Sequence, residues 1–317
     1  MSARFTLCVI LLGLLPSAAL SQTQANCKFL TFSAPSGETL LEVNGISPSN
    51  IVVGGMEDNS SLHNSGFVRS ANGQITTYDA PNSLSTNFTG RNGAGVDTGI
   101  YQDNSVGGYH GFTLQGSTFR AVNYPGAINT FLYGINKGGA MVGAFVSNSV
   151  DDGFELVGGK FTLLQFPGSL NTSAFGINDQ GVIVGEYDFD GAFLHGFILR
   201  NGAYQTVDDP DKNNAFGTRL LGINNSGVAV GEYEDSEAFF HGFIYKNGAF
   251  ENVIYPGSRN TFVQGINNLG LITGLAYFSD GSNKGLLETL HYRCRRQTPC
   301  YSFSPPPLLA EGRRRNG

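Results

Sequence analysis

The stretch His241-Gly242-Phe243-Ile244-Tyr245-Lys246-Asn247-Gly248-Ala249-Phe250 consists of two strand-forming runs separated by an Asn-Gly pair. Such a pair predicts a two-residue β-hairpin, because its turn needs residues that accept positive φ angles. Comparable pairs stand in four other parts of the chain: Asn72-Gly73, Gln115-Gly116, Gly158-Gly159 and Asn201-Gly202. Together they predict a protein built from repeated antiparallel hairpins.

The composition also favours an all-β fold. Gly accounts for 44 of the 317 residues, Phe for 24 and Tyr for 13, and Trp is absent. No long window carries apolar residues at helical spacing. We therefore expect short strands joined by tight turns.

Two sets of residues divide the chain into six repeats. The first is a proline that closes an aromatic-rich strand, at Pro35, Pro81, Pro125, Pro167, Pro210 and Pro256. The second is a glycine before a polar turn, aligned at Gly45, Gly99, Gly134, Gly176, Gly222 and Gly265. Repeats of about 40 to 50 residues are the sequence signature of β-propellers.

Each repeat is expected to form a four-stranded antiparallel meander. In the fifth repeat the four segments, named a to d by motif, are residues 249–255, 218–224, 228–233 and 241–246. The c segments at 182–185 and 228–231 are apolar on both faces and need a sheet on each side. We predict an all-β, six-bladed β-propeller, closed by pairing of the N-terminal a strand, 28–34, with the C-terminal d strand, 285–292. An open β-solenoid is the alternative.

The two chain ends differ from the repeats. Residues 1–21 combine Arg4, a short apolar run and small residues before Gln22, which is the pattern of a secretory signal peptide. Residues 22–292 are expected to form the propeller, and residues 293–317 an Arg- and Pro-rich disordered tail. This organisation predicts a secreted protein, extracellular or periplasmic, without membrane insertion.

Three cysteines follow the predicted cleavage point: Cys27, Cys294 and Cys300. Cys27 precedes the first a strand and Cys294 follows the last d strand, so a disulfide between them would link the two parts of the closing blade. A local disulfide between Cys294 and Cys300 is the alternative.

The quoted phrase is followed by Tyr255-Pro256-Gly257 and Gly265-Ile266-Asn267-Asn268, and it recurs around His195-Gly196-Phe197 and His110-Gly111-Phe112. Over residues 28–291 this pattern resembles the HAF family of predicted extracellular repeats. Three repeats depart from it, with Ser65-Gly66-Phe67, Asp152-Gly153-Phe154 and Lys284-Gly285-Leu286. The resemblance implies a propeller-like fold and export, without an established catalytic site.

The repeated polar residues are interpreted as structural. His110, His195 and His241 occupy equivalent positions, so a propeller would place them in different blades and not around one substrate atom. The same argument applies to Glu186 and Glu232. No Gly-x-Ser-x-Gly elbow, phosphate-binding glycine loop or zinc-type Cys/His spacing occurs. No catalytic residue is therefore assigned, and enzymatic activity is left open.

Differences between repeats are concentrated at one end of the meanders, where the a–b and c–d connections lie. With Gly99 as its anchor, the second repeat is expected to have a long a–b insertion around residues 84–95 and to lack its c–d loop. Variable loops on a rigid scaffold commonly carry binding residues. We therefore place the ligand face at this end.

The predicted ligand face is acidic. Residues 22–292 contain 12 Lys or Arg and 24 Asp or Glu. The acids assigned to the face are Asp151, Asp152, Asp188, Asp190, Asp209, Asp211, Glu234, Asp235 and Glu237. Such a surface argues against a nucleic-acid partner and suits a glycan or protein ligand.

Ca²⁺ is the one cofactor that these acids suggest. Asp188 with Asp190, and Asp209 with Asp211, place carboxylates at alternating positions, although neither segment is a complete calcium loop. The predicted function is a secreted, non-catalytic binding or adhesion module. A structural cell-surface component and a glycan-active hydrolase or lyase are the alternatives, and the latter needs two acids that converge at a catalytic separation.

Overall fold

The computed structural model describes residues 29–104, 108–147, 149–210 and 214–289. Within these ranges the chain forms 24 β-strands and no helix, so the predicted all-β fold is confirmed. The predicted signal peptide, the C-terminal tail, Asp211 and the predicted disulfide between Cys27 and Cys294 lie outside the described residues.

The first strand, β1 (Leu30–Phe32), is followed by an eight-stranded sheet. Its strands are β2 (Glu38–Ile46), β3 (Val52–Asp58), β4 (Asn64–Arg69), β5 (Ile75–Tyr78), β6 (Ser83–Arg91), β7 (Val96–Asp103), β8 (Tyr109–Gln115) and β9 (Thr118–Val122). One parallel bridge, between Asn64 and Ser85, joins the antiparallel meander β2–β5 to the antiparallel meander β6–β9.

Three separate four-stranded meanders follow. The first contains β10 (Asn129–Ile135), β11 (Met141–Ser147), β12 (Val150–Val157) and β13 (Lys160–Leu164). The second contains β14 (Asn171–Ile177), β15 (Ile183–Asp188), β16 (His195–Arg200) and β17 (Ala203–Val207). The third contains β18 (Asn214–Ile223), β19 (Ala229–Asp235), β20 (Phe240–Lys246) and β21 (Ala249–Val253).

The last sheet combines both ends of the described chain. It contains β22 (Asn260–Ile266), β23 (Leu271–Tyr277) and β24 (Asn283–Thr289), and β1 pairs with β24, with Leu30 opposite Leu287. The order in every meander is the predicted b, c, d, a, so the prediction of four-stranded antiparallel meanders is confirmed.

Three of the five two-residue hairpins predicted between d and a strands are present, at Gly158-Gly159, Asn201-Gly202 and Asn247-Gly248. In the first repeat the longer segment 70–74 joins β4 to β5, and Asn72 has no positive φ there, so the prediction at Asn72-Gly73 is wrong. Asn201-Gly202 and Asn247-Gly248 have positive φ angles at both residues, which is the type I′ pattern. In the second repeat the turn is Gly116-Ser117 and not the predicted Gln115-Gly116, because β8 ends at Gln115, and only Gly116 has a positive φ. Glycine or asparagine is needed at these positions because other side chains are strained there.

The phenylalanine of the recurring phrase fills the core of the first five meanders, whereas the last meander has Leu286 opposite Gly274. Phe197 lies opposite Gly185 of the neighbouring c strand, and its side chain is fully buried. A Cβ atom added to Gly185 would lie 2.7 Å from the Phe197 ring, so the pair requires glycine. Equivalent pairs are Gly54 with Phe67, Gly99 with Phe112, Gly143 with Phe154 and Gly231 with Phe243.

This register corrects the alignment of the second repeat. Gly99 is a c-strand glycine opposite Phe112 and not the b-strand anchor. The anchor position is taken by Gly90, which lies opposite Thr98. The sequence comparison missed Gly90 because Arg91 follows it, whereas isoleucine follows the other anchor glycines.

Two further expectations about the second repeat are therefore wrong. The long a–b insertion at residues 84–95 does not exist, since most of that segment is strand β6. The c–d connection is present, because residues 104–108 join β7 to β8. With Gly90 as the anchor, the glycine spacings become 45, 44, 42, 46 and 43 residues.

Buried asparagines after the b strands link consecutive meanders. The Asn178 side chain accepts hydrogen bonds from the N–H groups of Gln180 and Val182 in its own turn, both at 3.0 Å. Its Nδ2 donates to the carbonyl of Asn224 in the next meander at 3.1 Å. Asn92, Asn136, Asn224 and Asn267 donate forward in the same way.

The b strands, each the first of its meander, lie side by side. β2 contacts both β6 and β22, which places the first meander against the last. Asn267 donates to the Ser47 carbonyl at 3.1 Å, and the Val43 N–H donates to Gln264 Oε1 at 3.3 Å. The b strands thus surround a common space.

Candidate functional site

A cavity of about 600 Å³ lies between the b strands. This volume is within the range of small-molecule binding sites. At one end of the cavity the anchor glycines bring neighbouring strands together: a Cβ added to Gly176 would lie 3.1 Å from the Gly222 Cα. The cavity is therefore narrow at the b–c turns, and the residues that line it lie on the other side of the glycines.

Each b strand has a β-bulge immediately before its anchor glycine, which inserts one extra residue. A bulge re-aims a side chain, and bulges are common next to functional sites. The six bulge residues all line the cavity: Asn44, Thr89, Tyr133, Phe175, Leu221 and Gln264. Each is a different residue type, although the glycine that follows is constant.

A second layer of lining residues occupies one register position farther from the glycines. Glu42, Asn87, Phe131 and Arg219 are its b-strand members in the cavity. Their c-strand partners at this register are Gly55, Ile100, Ala144 and Glu232. In the fourth repeat the corresponding pair is Ser173 with Glu186. The pair of residues at this register differs in every repeat, although the fourth and fifth repeats share a c-strand glutamate.

The charged centre of this layer is Arg219 between two glutamates. Arg219 Nε lies 3.0 Å from Glu186 Oε2, and Arg219 Nη1 lies 3.6 Å from Glu232 Oε1. Glu186 and Glu232 occupy the same position in adjacent meanders, and the inner strand β18 carries Arg219 to both. The three side chains therefore form one ionic cluster on the wall of the cavity.

Glu232 is the most buried member of this cluster. Its residue is 4% exposed, and its Oε2 atom is buried without a hydrogen-bond partner. Burial raises the pKa of Glu232 to about 7, while the Arg219 guanidinium acts in the opposite direction and Glu186 adds to the increase. Burial also raises the pKa of Glu186. Glu232 can thus exchange a proton near neutral pH.

Glu42 supplies a third carboxylate from the first meander. Asn44 Nδ2 donates to Glu42 Oε2 at 3.0 Å, and Asn87 Nδ2 donates to the same oxygen. Glu42 contributes to the raised pKa of Glu232 and, with Glu186, to that of Tyr133, which burial raises most. Carboxylates from three meanders therefore contribute to the electrostatic potential of one cavity.

Four aromatic side chains also line the cavity: Tyr109, Phe131, Tyr133 and Phe175. The ring centroids of Tyr133 and Phe175 are 4.8 Å apart, those of Phe131 and Tyr133 are 6.3 Å apart, and Tyr109 continues the series at 5.6 Å from Phe131. Aromatic faces bind apolar faces of sugars and other ligands, and they attract cations. The cavity can therefore combine stacking with charged hydrogen bonds.

Two of the predicted ligand-face acids, Asp151 and Asp188, act electrostatically on this site. Burial raises the pKa of Asp151, and Asp152 and Asp188 raise it further. Asp188 and Asp151 also raise the pKa of Glu186, after the larger effects of burial and of Arg219. These acids lie at the a–b and c–d end of the third and fourth meanders. Their negative potential extends that of the cavity.

Other predicted ligand-face acids have local partners. Asp188 is buried and accepts hydrogen bonds from the Gly191 N–H at 2.5 Å and the Asn171 amide at 2.8 Å, whereas Asp190 accepts one from the Ala192 N–H at 3.0 Å. Asp209 is also buried.

The c–d turn of the fifth meander also contains predicted acids. Asp235 accepts hydrogen bonds from the Glu237 and Phe239 N–H groups, at 2.9 and 3.0 Å. Glu234 lies half-buried at the end of β19, and Glu237 is exposed in the turn. Within the described ranges, no group of three or more His, Cys, Asp or Glu side chains is arranged to hold a metal ion.

The three repeated histidines lie in separate meanders. His110 Nδ1 is 2.9 Å from Asn123 Oδ1, and His195 Nδ1 is 3.0 Å from Asp208 Oδ2. His241 instead uses Nε2, at 2.7 Å from Asp235 Oδ2. Each histidine therefore has a hydrogen-bonding partner in its own meander, and none lines the cavity.

The sequence interpretation missed the cavity and grouped Glu186 and Glu232 with the structural positions. A signal was available in the residue before each anchor glycine. That residue varies among Asn, Thr, Tyr, Phe, Leu and Gln, while the glycine after it is constant. Reading it required the correct anchor in the second repeat, which the choice of Gly99 prevented.

Comparison with solved structures identifies the fold as a β-propeller. TolB from Acinetobacter baumannii has a TM-score of 0.50 and 10% identity over 75% of this chain, and the match spans 63% of the TolB chain. A chain assigned as TolB of Agrobacterium tumefaciens has a TM-score of 0.56 and 13% identity, with 80% of this chain and 91% of that chain covered. A chain assigned as a gluconolactonase has a TM-score of 0.50 and 12% identity, with coverages of 84% and 93%.

At these identities the likenesses concern the fold alone. No protein-family model and no curated protein matches the sequence. The described residues also include no helix with the length and hydropathy of a membrane span. The chain is a β-propeller protein of repeated four-stranded meanders.

Proposed function

We propose that this chain is a secreted, non-catalytic binding module, in which a six-bladed β-propeller of HAF-repeat type holds a ligand in its central cavity. The observation that carries the proposal is the contrast between two kinds of layer. The glycine and asparagine layers repeat around the b strands, whereas the bulge residue and the b–c residue pair of the second layer differ in every repeat. Variation on a constant scaffold is what a recognition site requires.

Closure of the propeller is part of this proposal. It is supported by the pairing of β1 with β24 and by the contacts of β2 with both β6 and β22. The hydrogen bond from Asn267 to Ser47 supports it from the opposite end of the b strands. Secretion is supported by the sequence pattern of residues 1–21.

The test is a ligand array, containing glycans and small cationic and neutral metabolite classes, probed with residues 22–292. The cavity variant is Leu221→Trp, which places a large ring at a bulge position. The matched control is Leu269→Trp, because Leu269 is 70% exposed in a b–c turn. We expect Leu221→Trp to abolish binding and Leu269→Trp to retain it. Equal binding by both variants, or no binding by the unmodified chain, would contradict the proposal.

The predicted role of Ca²⁺ is tested on the same array. Binding is compared in Ca²⁺ and in chelator, and with Asp188, Asp190, Asp209 and Asp211 changed to asparagine. Loss of binding in chelator and in the variant would support a calcium-dependent ligand face. Binding that chelator leaves unchanged would assign recognition to the cavity side chains alone.

A glycan-active hydrolase or lyase is the second candidate. Glu186 and Glu232 contact the same guanidinium, and the pKa of Glu232 is raised to about 7, as a general acid requires. Array glycans that bind are incubated with the protein and examined for cleavage products. Cleavage that disappears in Glu232→Gln would favour the enzyme; unchanged glycans would favour the binding module.

A further inference from the structure

The carboxylates of the cavity exceed its basic groups. Glu42, Glu186 and Glu232 line it, and among the described residues Arg219 is the only Lys or Arg that does so. Arg219 is already held by two of the carboxylates. An anionic ligand would have to displace them, so the free charge of the cavity is negative.

The Glu232 side chain adds a specific unfilled hydrogen-bonding site. Its Oε2 atom is buried and has no hydrogen-bond partner, although the side chain lines the cavity. A buried acceptor without a partner destabilises the folded state, and a charged one does so more strongly. A ligand N–H group that reaches this oxygen would remove that destabilisation.

The surroundings favour a charged donor over a neutral one. Asp151, Asp152 and Asp188 extend the negative potential at the a–b and c–d end, as their effects on Glu186 and on one another indicate. The rings of Phe131, Tyr133 and Phe175 offer the faces that attract cations. A neutral hydroxyl would satisfy the hydrogen bond but not the charge.

From this arrangement we infer that the ligand carries an organic ammonium group, bound by Glu232 together with Glu42 and Glu186. The inference rests on the proposed function of the cavity and specifies its ligand class. The charged groups that face Glu232 are Arg219, Glu186 and Glu42. A cation bound beside the Glu232 carboxyl stabilises its ionised form, because opposite charges attract. Binding near pH 7 is therefore accompanied by release of a proton.

The test uses two pairs of compounds that differ in charge: 1,5-diaminopentane against 1,5-pentanediol, and glucosamine against glucose. Calorimetric titration of residues 22–292 at pH 7 in two buffers of different ionisation enthalpy measures affinity and proton release together. We expect each amine to bind at least about tenfold more tightly than its neutral partner, the difference that one good charged contact makes. We also expect proton release with the amines only.

Three variants test whether Glu232 supplies the released proton and whether Glu42 contributes to amine binding. Glu232→Gln removes the proton release, and Glu42→Gln weakens amine binding about tenfold. Glu251→Gln, on the exposed face of β21, leaves both unchanged. Equal affinity for charged and neutral partners would overturn the inference while the array result upholds the cavity as a site. The inference would also be overturned if none of the four compounds bound while array binding was intact. Absence of array binding would instead contradict the proposed function.

Discussion

Arg91 and Asp97 form a buried ion pair where the other meanders have apolar residues. Arg91 Nη1 lies 2.8 Å and 2.7 Å from the two oxygens of Asp97, and the Asp97 residue is 4% exposed. The equivalent cross-strand pair in the fourth meander is Ile177 with Ile183. Burial raises the pKa of Asp97 to about 6, even though Arg91 lowers it. Burial thus cancels much of the attraction between the two charges.

Replacing one or both members of this pair has opposite effects. Arg91→Ile leaves a buried carboxylate without its partner and should lower the free energy of unfolding by about 3–5 kcal/mol. The double variant with Asp97→Ile should recover that loss and equal or exceed the unmodified protein, because it restores the apolar pair of the other repeats. Urea unfolding of all four members of the mutant cycle measures both effects. A double variant as unstable as Arg91→Ile would contradict this account.

The raised pKa of Glu232 predicts a specific pH dependence of stability. Its ordinary value is 4.5 and its value in the folded protein is about 7. Between these values the folded state holds a proton that the unfolded state has lost, so the contribution of Glu232 to stability falls as pH rises from about 4.5 to 7. The total loss is on the order of a few kcal/mol.

Glu232→Gln removes this dependence, since glutamine does not titrate. We expect the variant to gain stability relative to the unmodified protein as pH rises from 5 to 8, measured by urea midpoints at each pH. Glu251→Gln serves as the control, because that side chain is exposed on an outer strand. Parallel pH profiles for Glu232→Gln and the unmodified chain would show that the carboxyl is not protonated in the fold.

At the scale of the strands, the asparagine ladder explains how the meanders are joined. Each ladder asparagine closes its own b–c turn and donates to the next meander. The first meander has Ser47 at this position, whose Oγ accepts from the Ser49 and Ile51 N–H groups at 3.2 and 3.1 Å. Serine can close the turn, but it is too short to reach the following meander.

Ser47→Asn is therefore expected to complete the ladder by donating to the carbonyl of Asn92. One additional buried hydrogen bond should raise the free energy of unfolding by about 1 kcal/mol.

Asn178→Asp is the complementary change, because it keeps the acceptor of the turn and loses the donor to the next meander. It should be clearly destabilising in urea unfolding at neutral pH. A neutral result for both changes would mean that the ladder does not hold the meanders together.

The strands and turns were predictable because their constraints select residue types directly. A positive φ angle selects glycine or asparagine, so Asn201-Gly202 and Asn247-Gly248 mark their hairpins in the sequence. The Gly185–Phe197 pair likewise left a repeated phrase, because the ring occupies the space of a missing Cβ. Four-stranded meanders follow from these constraints.

The candidate site was not predictable by the same route. A β-bulge changes which way a residue points without requiring a particular residue type, so Tyr133 and Phe175 carry no local mark. Glu186 and Glu232 share a repeat position, which suggested a structural role. Their meaning appears only with the register, which places Gly55, Ile100 and Ala144 at the same position in other meanders. At this c-strand position a charged residue occurs only in the fourth and fifth repeats.

At the scale of the whole molecule, the site depends on residues of the first and last meanders. Glu42 and Asn44 come from the first meander and Gln264 from the last, and these residues line one cavity with Arg219. Separation of the first and last meanders would move Glu42 and Asn44 away from Gln264 and disrupt the cavity lining. Binding is thus coupled to whatever keeps these two meanders in contact.

The N-terminal strand β1 completes the last sheet by pairing with β24. Phe32 lies opposite Gly285, packs 6.4 Å from the Phe67 ring, and has the Arg69 guanidinium 4.7 Å above it. Phe32 therefore contacts both the last sheet and the first meander. Loss of Phe32 therefore removes a contact between these two sheets.

A chain that begins at residue 36 lacks β1 and tests this coupling. We expect its free energy of unfolding to fall by at least the 3–5 kcal/mol that removal of a buried phenylalanine costs, because the backbone pairing with β24 is lost as well. Phe32→Ala in the full-length chain should reproduce only the side-chain part. Array binding should weaken in the truncated chain more than in Phe32→Ala, since only the truncation frees the edge of the last sheet. Unchanged stability and binding in the truncated chain would mean that the meanders hold the cavity without closure by β1.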